Sequence, residues 1–246
     1  MRRGILLFII SGLILFNLSC FKSKEEIARD KKEANSLIKH ADKLFFENKF
    51  VEALSIYDES LKIYDFKDGI IYYKLAFCYD KGVKDYKKAE KYYDKSIETL
   101  SLQLDKTKVK YLAADYFNLG IIALKQGDVA KKNKYFAKAI PLLKEILNNG
   151  NADGLDLFRI GYYYFDLQNY DEAIKYFLKA AKALKKENPF HFYYAGAYFN
   201  IGIIYWKQED INTALYYWKL ALKIEPNNET YKEWYNKALL IKQASS

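Results

Sequence analysis

The chain has only two cysteines, two histidines and three prolines in 246 residues, and each shortage removes a class of protein. Two cysteines cannot make the disulfide framework of a small secreted scaffold. His40 and His191 have no carboxylates at matched spacing, so no metal site is expected. There is no glycine-rich phosphate loop, no Gly-x-Ser-x-Gly and no His-Glu-x-x-His, which points to a protein that is not an enzyme and takes no cofactor. Asn149-Gly150-Asn151-Ala152-Asp153-Gly154 begins like a calcium loop, but its twelfth position is Ile160, where a bidentate Glu is required. A Gly/Asn-rich turn between helices is sufficient. Lys and Arg exceed the acids, for a formal charge of +9, yet the lysines are scattered singly between acids. That is a solvated helix surface. With no basic stripe interleaved with aromatics, nucleic acid is not an expected partner. The scarcity of proline favours helices, and 51% apolar content excludes a disordered chain.

The first apolar run is a separate object. Arg2 and Arg3 precede an apolar stretch over residues 5–16, which is too short to span a bilayer comfortably, and Asn17-Leu18-Ser19-Cys20 ends it. Ser19-Cys20 resembles the lipobox of bacterial lipoproteins, with Asn17 standing where that pattern prefers Leu. The resemblance implies cleavage after residue 19, lipidation (palmitate included) of Cys20, export, and anchoring to a bacterial membrane, facing the periplasm or the cell surface. A plain secretory signal and an uncleaved anchor stay open as alternatives. Removal of residues 1–19 deletes two Arg and no acid, so the mature side-chain charge becomes 9 − 2 = +7. Cys78 is then alone and is expected as a small packing residue. Ser23 and Glu26 predict a capping box, so a helix should begin almost at the anchor.

The rest of the chain repeats itself. Gly120, Gly161 and Gly202 stand 41 residues apart, in the phrases Y-F-N-L-G-I-I-A, L-F-R-I-G-Y-Y-Y and Y-F-N-I-G-I-I-Y. A fixed period of this size means stacked helical units. From Ala34 the chain resembles the tetratricopeptide repeat family, whose units place a large residue at position 4, a small one at 8, an aromatic at 11, Ala at 20, an aromatic at 24 and Ala at 27. The last unit carries Tyr198, Ile201, Gly202, Tyr205, Ala214, Trp218, Ala221 and Pro226; the fourth carries Leu157, Ile160, Gly161, Tyr164, Ala173, Phe177 and Ala180. The first gives Ala41, Ala53 and Tyr57, and the second Ala76, Ala89 and Tyr93 with one inserted residue in the turn near residues 81–85. The third fits at Gly120, Phe136 and Ala139, but Lys132 replaces the small residue at 20. His40, at a position usually filled by Leu, is expected in the core.

The resemblance implies an all-α fold, a right-handed superhelical stack of antiparallel helix pairs with about five repeats and a C-terminal capping helix. The organisation expected is a signal peptide over 1–19, a lipidated start over 20–33, an array over 34–226, and a capping helix and tail over 229–246. The units fall near 34–67, 69–103, 113–148, 154–188 and 195–228. The 41-residue step exceeds the family's 34, so some helices should be longer than usual, and Pro141 should disturb the helix around Ala137.

Members of the family bind through positions 5, 9 and 12 of each first helix. Here those are Ile38, Asp42 and Phe45; Tyr73, Phe77 and Asp80; Phe117, Ile121 and Leu124; Phe158, Tyr162 and Phe165; and Phe199, Ile203 and Trp206. Apart from the two Asp they are apolar. As a surface they would be an aromatic concave groove, but an aromatic stripe at helical spacing is equally what a packed core looks like. The function expected is a membrane-anchored scaffold that binds an envelope protein or peptide. The alternative is a carrier or channel component that holds a hydrophobic small molecule beside a solute-binding or transport protein. Self-association stays open.

Overall fold

In the computed structural model the described residues are 22–102, 105–187 and 192–244. The lipobox-like segment with Cys20 lies outside them, as does His191. All regular structure among the described residues is helical: α1 (Lys24–Phe46), α2 (Phe50–Ile63), α3 (Gly69–Cys78) with a π turn (Tyr79–Val83), α4 (Tyr86–Ser101), α5 (Lys106–Lys125), α6 (Val129–Asn148), α7 (Gly154–Asp166), α8 (Tyr170–Glu187), α9 (Phe192–Lys207), α10 (Ile211–Ile224) and α11 (Glu229–Ala244). None of these helices is long and apolar enough to cross a membrane. The chain divides into two compact units at Ala89/Glu90.

The 41-residue phrase has a steric cause. A Cβ on Gly120 would lie 2.4 Å from the Phe136 ring, one on Gly161 2.8 Å from Phe177, and one on Gly202 2.3 Å from Trp218. Each ring stands sixteen residues after its glycine (136 − 120 = 177 − 161 = 218 − 202) on the antiparallel partner helix. First and second helices therefore approach as closely as backbone and ring allow. Phe177 and Trp218 are fully buried and Phe136 nearly so, and burying each ring contributes about 1.5–3 kcal/mol. Ala41, with Tyr57 sixteen residues on, keeps the same spacing in the first unit, and both are fully buried.

The turns that join the pairs repeat as well. Asn48, Gly127, Gln168 and Glu209 all have positive φ, from 59° to 78°, and the last three again step by 41. In each turn that residue's N–H bonds the carbonyl three back, and the following N–H bonds the carbonyl five back: Gly127 to Leu124 with Asp128 to Ala123, Gln168 to Phe165 with Asn169 to Tyr164, Glu209 to Trp206 with Asp210 to Tyr205. This left-handed closure satisfies carbonyls that the helix end would orphan. In the three later turns the next residue then caps the second helix, as Asp128 accepts from the Lys131 N–H at 2.8 Å and Asp210 from Thr213 at 3.0 Å. The inserted residue of the second unit is absorbed by the π turn, closed by the Asp85 N–H on the Tyr79 carbonyl at 3.0 Å with Lys84 at φ 58°.

The capping box is formed: the Glu26 N–H donates to Ser23 Oγ at 3.1 Å and the Ser23 N–H to Glu26 Oε2 at 2.7 Å. Cys78 is fully buried, as expected of a packing residue, and burial pushes its thiol pKa up. The extra residues of the long units sit in α5 and α6, of 20 residues each, and in α8 of 18, against 14 for α2 and α10. Helix α6 runs through Pro141 to Asn148.

One expectation is corrected. His40 is exposed, not in the core. The matching positions in later units, Leu75, Leu119, Ile160 and Ile201, are 5% exposed or less. No described helix precedes α1, so no described helix packs over the side of α1 that carries His40.

Candidate interaction surface

In the first unit the inner positions close on themselves. Phe77 is 3% exposed and packs against Phe45 and Phe50 with ring centroids 5.4 and 5.3 Å away; Tyr73 is 5% exposed and lies 5.9 Å from Phe77. Ile38 and Phe45 are half-buried. The polar members are paired: Asp42 Oδ1 accepts from Lys74 Nζ at 2.7 Å and from the Tyr57 hydroxyl at 2.5 Å, while Asp80 meets Lys81 at 2.6 Å.

In the second unit the same positions split. Phe117 is buried, stacked 5.4 Å from Phe136, and meets the edge of Tyr162 at 5.6 Å. Phe158 is buried between Phe177 and Tyr193, at 5.4 and 4.8 Å. These two rings hold neighbouring helices together. Ile121, Tyr162, Phe165, Phe199, Ile203 and Trp206 keep part of their surface, and Leu124 is exposed. Burial pushes the Tyr162 hydroxyl up to about 12, with Asp166 adding to the rise. Phe199 stacks on Tyr231 of α11 at 4.6 Å, and Trp206 lies between Trp218 and Trp234 at 5.8 and 6.0 Å, with Lys237 Nζ 5.8 Å from its ring. Leu124, Phe165 and Trp206 are 41 residues apart, so the accessible row repeats with the units. Tyr73, Phe77, Phe117 and Phe158 are thus core in this conformation, and the remaining nine retain accessible surface.

Beside positions 5, 9 and 12, position 6 is polar in every unit: Lys39, Lys74, Asn118, Arg159 and Asn200, of which the two Asn taken alone signify little in sequence. Lys74, Asn118 and Arg159 are buried. Arg159 donates to Asp156 at 3.0 Å, and Lys110 reaches Asp153 and Asp156 at 3.1 and 3.4 Å. Asn118 Nδ2 donates to the Tyr93 hydroxyl at 3.0 Å, and Ser96 Oγ donates to Asp115 Oδ2 at 2.7 Å. The two pairs are rungs of one antiparallel contact (93 + 118 = 96 + 115). Oδ1 of Asp115 and Oδ1 of Asn118 are buried without a hydrogen-bond partner among the described residues. Burial holds the Asp115 carboxyl well above its ordinary pKa, against the opposing pull of Ser96 and Arg159.

Lys132, which breaks the small-residue rule at position 20, is also explained. It is 8% exposed, and its Nζ crosses to Asp166 of the next unit at 2.6 Å. A long side chain with its charge placed on a neighbour's carboxylate fills the space that Ala leaves elsewhere. No group of three or more His, Cys, Asp or Glu among the described residues is arranged to hold a metal ion.

Tetratricopeptide repeat models match residues 155–225 and 70–99. The chain carries tetratricopeptide repeats. Among solved structures it is similar to TTC0263, a thermophilic tetratricopeptide repeat protein of Thermus thermophilus, at 17% identity and a TM-score of 0.59, covering 84% of this chain and 99% of that one. It is also similar to the Cut9–Hcn1 hetero-tetramer of the APC/C, at 18% identity and a TM-score of 0.58, covering 89% of this chain but only 40% of that chain. At these identities the likeness is one of fold. No curated protein sequence matches the chain. The fold is all-α and of the tetratricopeptide repeat solenoid type, an architecture of protein-interaction scaffolds.

Proposed function

We propose that the chain is a non-catalytic adaptor, anchored by a lipidated Cys20 to a bacterial membrane, that holds an envelope protein or peptide on the inner row of its second unit. The observation that carries this is the row Leu124, Phe165 and Trp206, with Ile121, Tyr162 and Ile203 beside it. These apolar side chains recur at the repeat period and keep accessible surface, while their buried neighbours fix them in place. Such a row suits a partner segment lying across successive first helices. The anchor rests on the sequence around Ser19-Cys20 alone. A carrier role for an apolar small molecule has no comparable support, because Phe117 and Phe158, which would line its cavity, are packed against neighbouring rings.

Site-specific photo-crosslinking in cells tests the reading. A crosslinker at Leu124 or Phe165 should capture one envelope protein, and a crosslinker at exposed Leu178 on a second helix should not. Equal capture at all three positions overturns the site. Cys20→Ser should release the protein from the membrane fraction, and retention there overturns the anchor.

A further inference from the structure

We infer that the outer side of the second helices in the second unit is a docking surface for a bilayer rich in anionic headgroups. It lies on α6, α8 and α10 rather than on the first helices that carry the inner row, and it rests neither on that row nor on lipidation of Cys20. In sequence its lysines stand singly, and the fold gathers them. The three helices hold twelve lysines against four acids, an excess of 12 − 4 = +8, whereas first helices α5, α7 and α9 hold six bases and three acids, 6 − 3 = +3. The four acids, Glu145, Asp171, Glu172 and Glu187, all fall in the first or last turn of their helix, so the middle of each helix is free of negative charge.

The repeat register puts the lysines opposite the packing. Positions 20, 24 and 27 are buried in each of these helices, from Lys132, Phe136 and Ala139 in α6 to Ala214, Trp218 and Ala221 in α10. Two residues on, a helix has turned by about 200°. Lys134 and Lys138 follow two of the buried positions in α6, Lys175, Lys179 and Lys182 follow all three in α8, and Lys223 follows one in α10. The remaining three such places hold Pro141, Tyr216 and Leu220, so six of the nine are lysine and none is an acid. All six lysines are exposed. Lys134 with Lys175, Lys138 with Lys179 and Lys182 with Lys223 are each 41 residues apart, so the charge recurs with the units as the glycines do. Lys175 meets Glu172 at 2.8 Å; the other five have no carboxylate within ion-pair distance among the described residues.

Charge of one sign spread over three helices calls for an extended surface of the other sign. A fluid anionic bilayer meets every lysine without a matched register, because its headgroups move to each. The apolar members of the face favour lipid over another polyanion. Tyr216 is 59% exposed, and Leu178, within one turn of Lys175 and Lys182, is 42% exposed. Tyrosine and aliphatic side chains set among lysines gain by entering the interfacial layer of a bilayer, whereas the phosphate rim of a nucleic-acid duplex offers them no burial. Lys138 Nζ lies 5.1 Å from the Tyr116 ring and Lys179 Nζ 5.3 Å from the Tyr176 ring, so aromatic rings steady the two stems while the ammonium groups stay at the surface.

Vesicle cosedimentation tests the inference, with the full chain carrying Cys20→Ser so that no acyl chain contributes. The vesicles are phosphatidylcholine alone, or phosphatidylcholine with about one-third phosphatidylglycerol. The chain should prefer the phosphatidylglycerol vesicles, and the preference should fade as added salt shortens the Debye length. Lys179→Gln, Lys182→Gln and Lys223→Gln together should cut binding to those vesicles by about a hundredfold. Lys43→Gln, Lys84→Gln and Lys207→Gln, at exposed lysines outside the three helices, lower the net charge equally and should cost no more than about threefold. Lys182→Gln alone should cost about fivefold, and it replaces the first triple variant if that one loses its circular dichroism. The inference is overturned if the two triple variants lose binding equally, which makes net charge the cause, or if both vesicle types bind alike. It is also overturned if a DNA duplex at equal phosphate concentration strips the parent chain from the vesicles. In cells, a high-salt wash of the membrane fraction separates this contact from the anchor, since it strips a chain held by lysines and leaves a lipidated one. Loss of crosslinking at Leu124 bears only on the inner row.

Discussion

Replacing Asp115 by Asn should stabilise the protein at neutral pH and remove part of its pH dependence. Asp115 is fully buried; Ser96 donates to one oxygen, and the other oxygen has no partner among the described residues. Burial is the largest influence on its pKa and pushes it well up; Ser96 and Arg159 oppose the rise, and Asp94 adds to it. The native state therefore keeps a proton that the unfolded chain releases near the ordinary value of 3.8. With the native state binding more protons, stability falls as pH rises, by up to about 1.4 kcal/mol per pH unit. This contribution is fully present below the unfolded pKa and is lost as pH climbs through the folded one. Asn has the same shape: its oxygen can accept from Ser96 while its amide donates toward the orphaned Oδ1 of Asn118, one turn away on the same face. At pH 7 the parent takes up a proton on folding and the Asn variant does not, so Asp115→Asn should be the more stable, by an advantage that grows by up to about 1.4 kcal/mol per pH unit above the unfolded pKa. Urea unfolding of both proteins at a series of pH values measures the difference curve, in which the other titrating groups cancel. That difference should grow with pH from the acid side. The reasoning is refuted if Asp115→Asn is less stable than the parent at pH 7, or if the two stability curves run parallel.

Three further outcomes follow from the packing. Gly202→Ala puts a methyl 2.3 Å from the Trp218 indole, so it should lower stability by about 1–3 kcal/mol with a fall in near-ultraviolet circular dichroism, and Gly120→Ala should behave likewise against Phe136. Gln168→Gly relieves a non-glycine residue at φ 59° and should change stability far less than Gly127→Ala, which forces Ala to φ 78° and should cost about 1 kcal/mol in the same denaturation assay. Asp166→Ala strands the Lys132 ammonium in a buried site and should destabilise by about 3–5 kcal/mol, whereas Lys132→Met with Asp166→Ala should recover most of the loss, as thermal unfolding of the set would show.

The repeats were legible because close packing writes itself into sequence. A small residue and a ring sixteen positions later recur in the sequence, and the structure shows why: Gly120 meets Phe136 and Gly202 meets Trp218 where the two helices of a pair touch. The capping box and the inserted residue of the second unit were readable for the same reason, since each is a local backbone requirement. The interaction surface was only half legible. Positions 5, 9 and 12 look alike in sequence, yet Phe117 and Phe158 are buried and Leu124 and Phe165 are not; which ring is covered depends on the neighbouring helix. His40 was misplaced on the same ground. The polar stripe at position 6 was visible as a pattern, but a buried charge and an exposed one read identically until their partners are known.

The sequence by itself determined the class of fold, the period and the positions of the turns, because these depend on residues a fixed number of positions apart. Tertiary structure alone decided two things. It made Lys132 a tether to Asp166, and it left Asp115 and Asn118 each with an oxygen unpartnered among the described residues. Each depends on what lies opposite a side chain, and that is set by how successive helices stack.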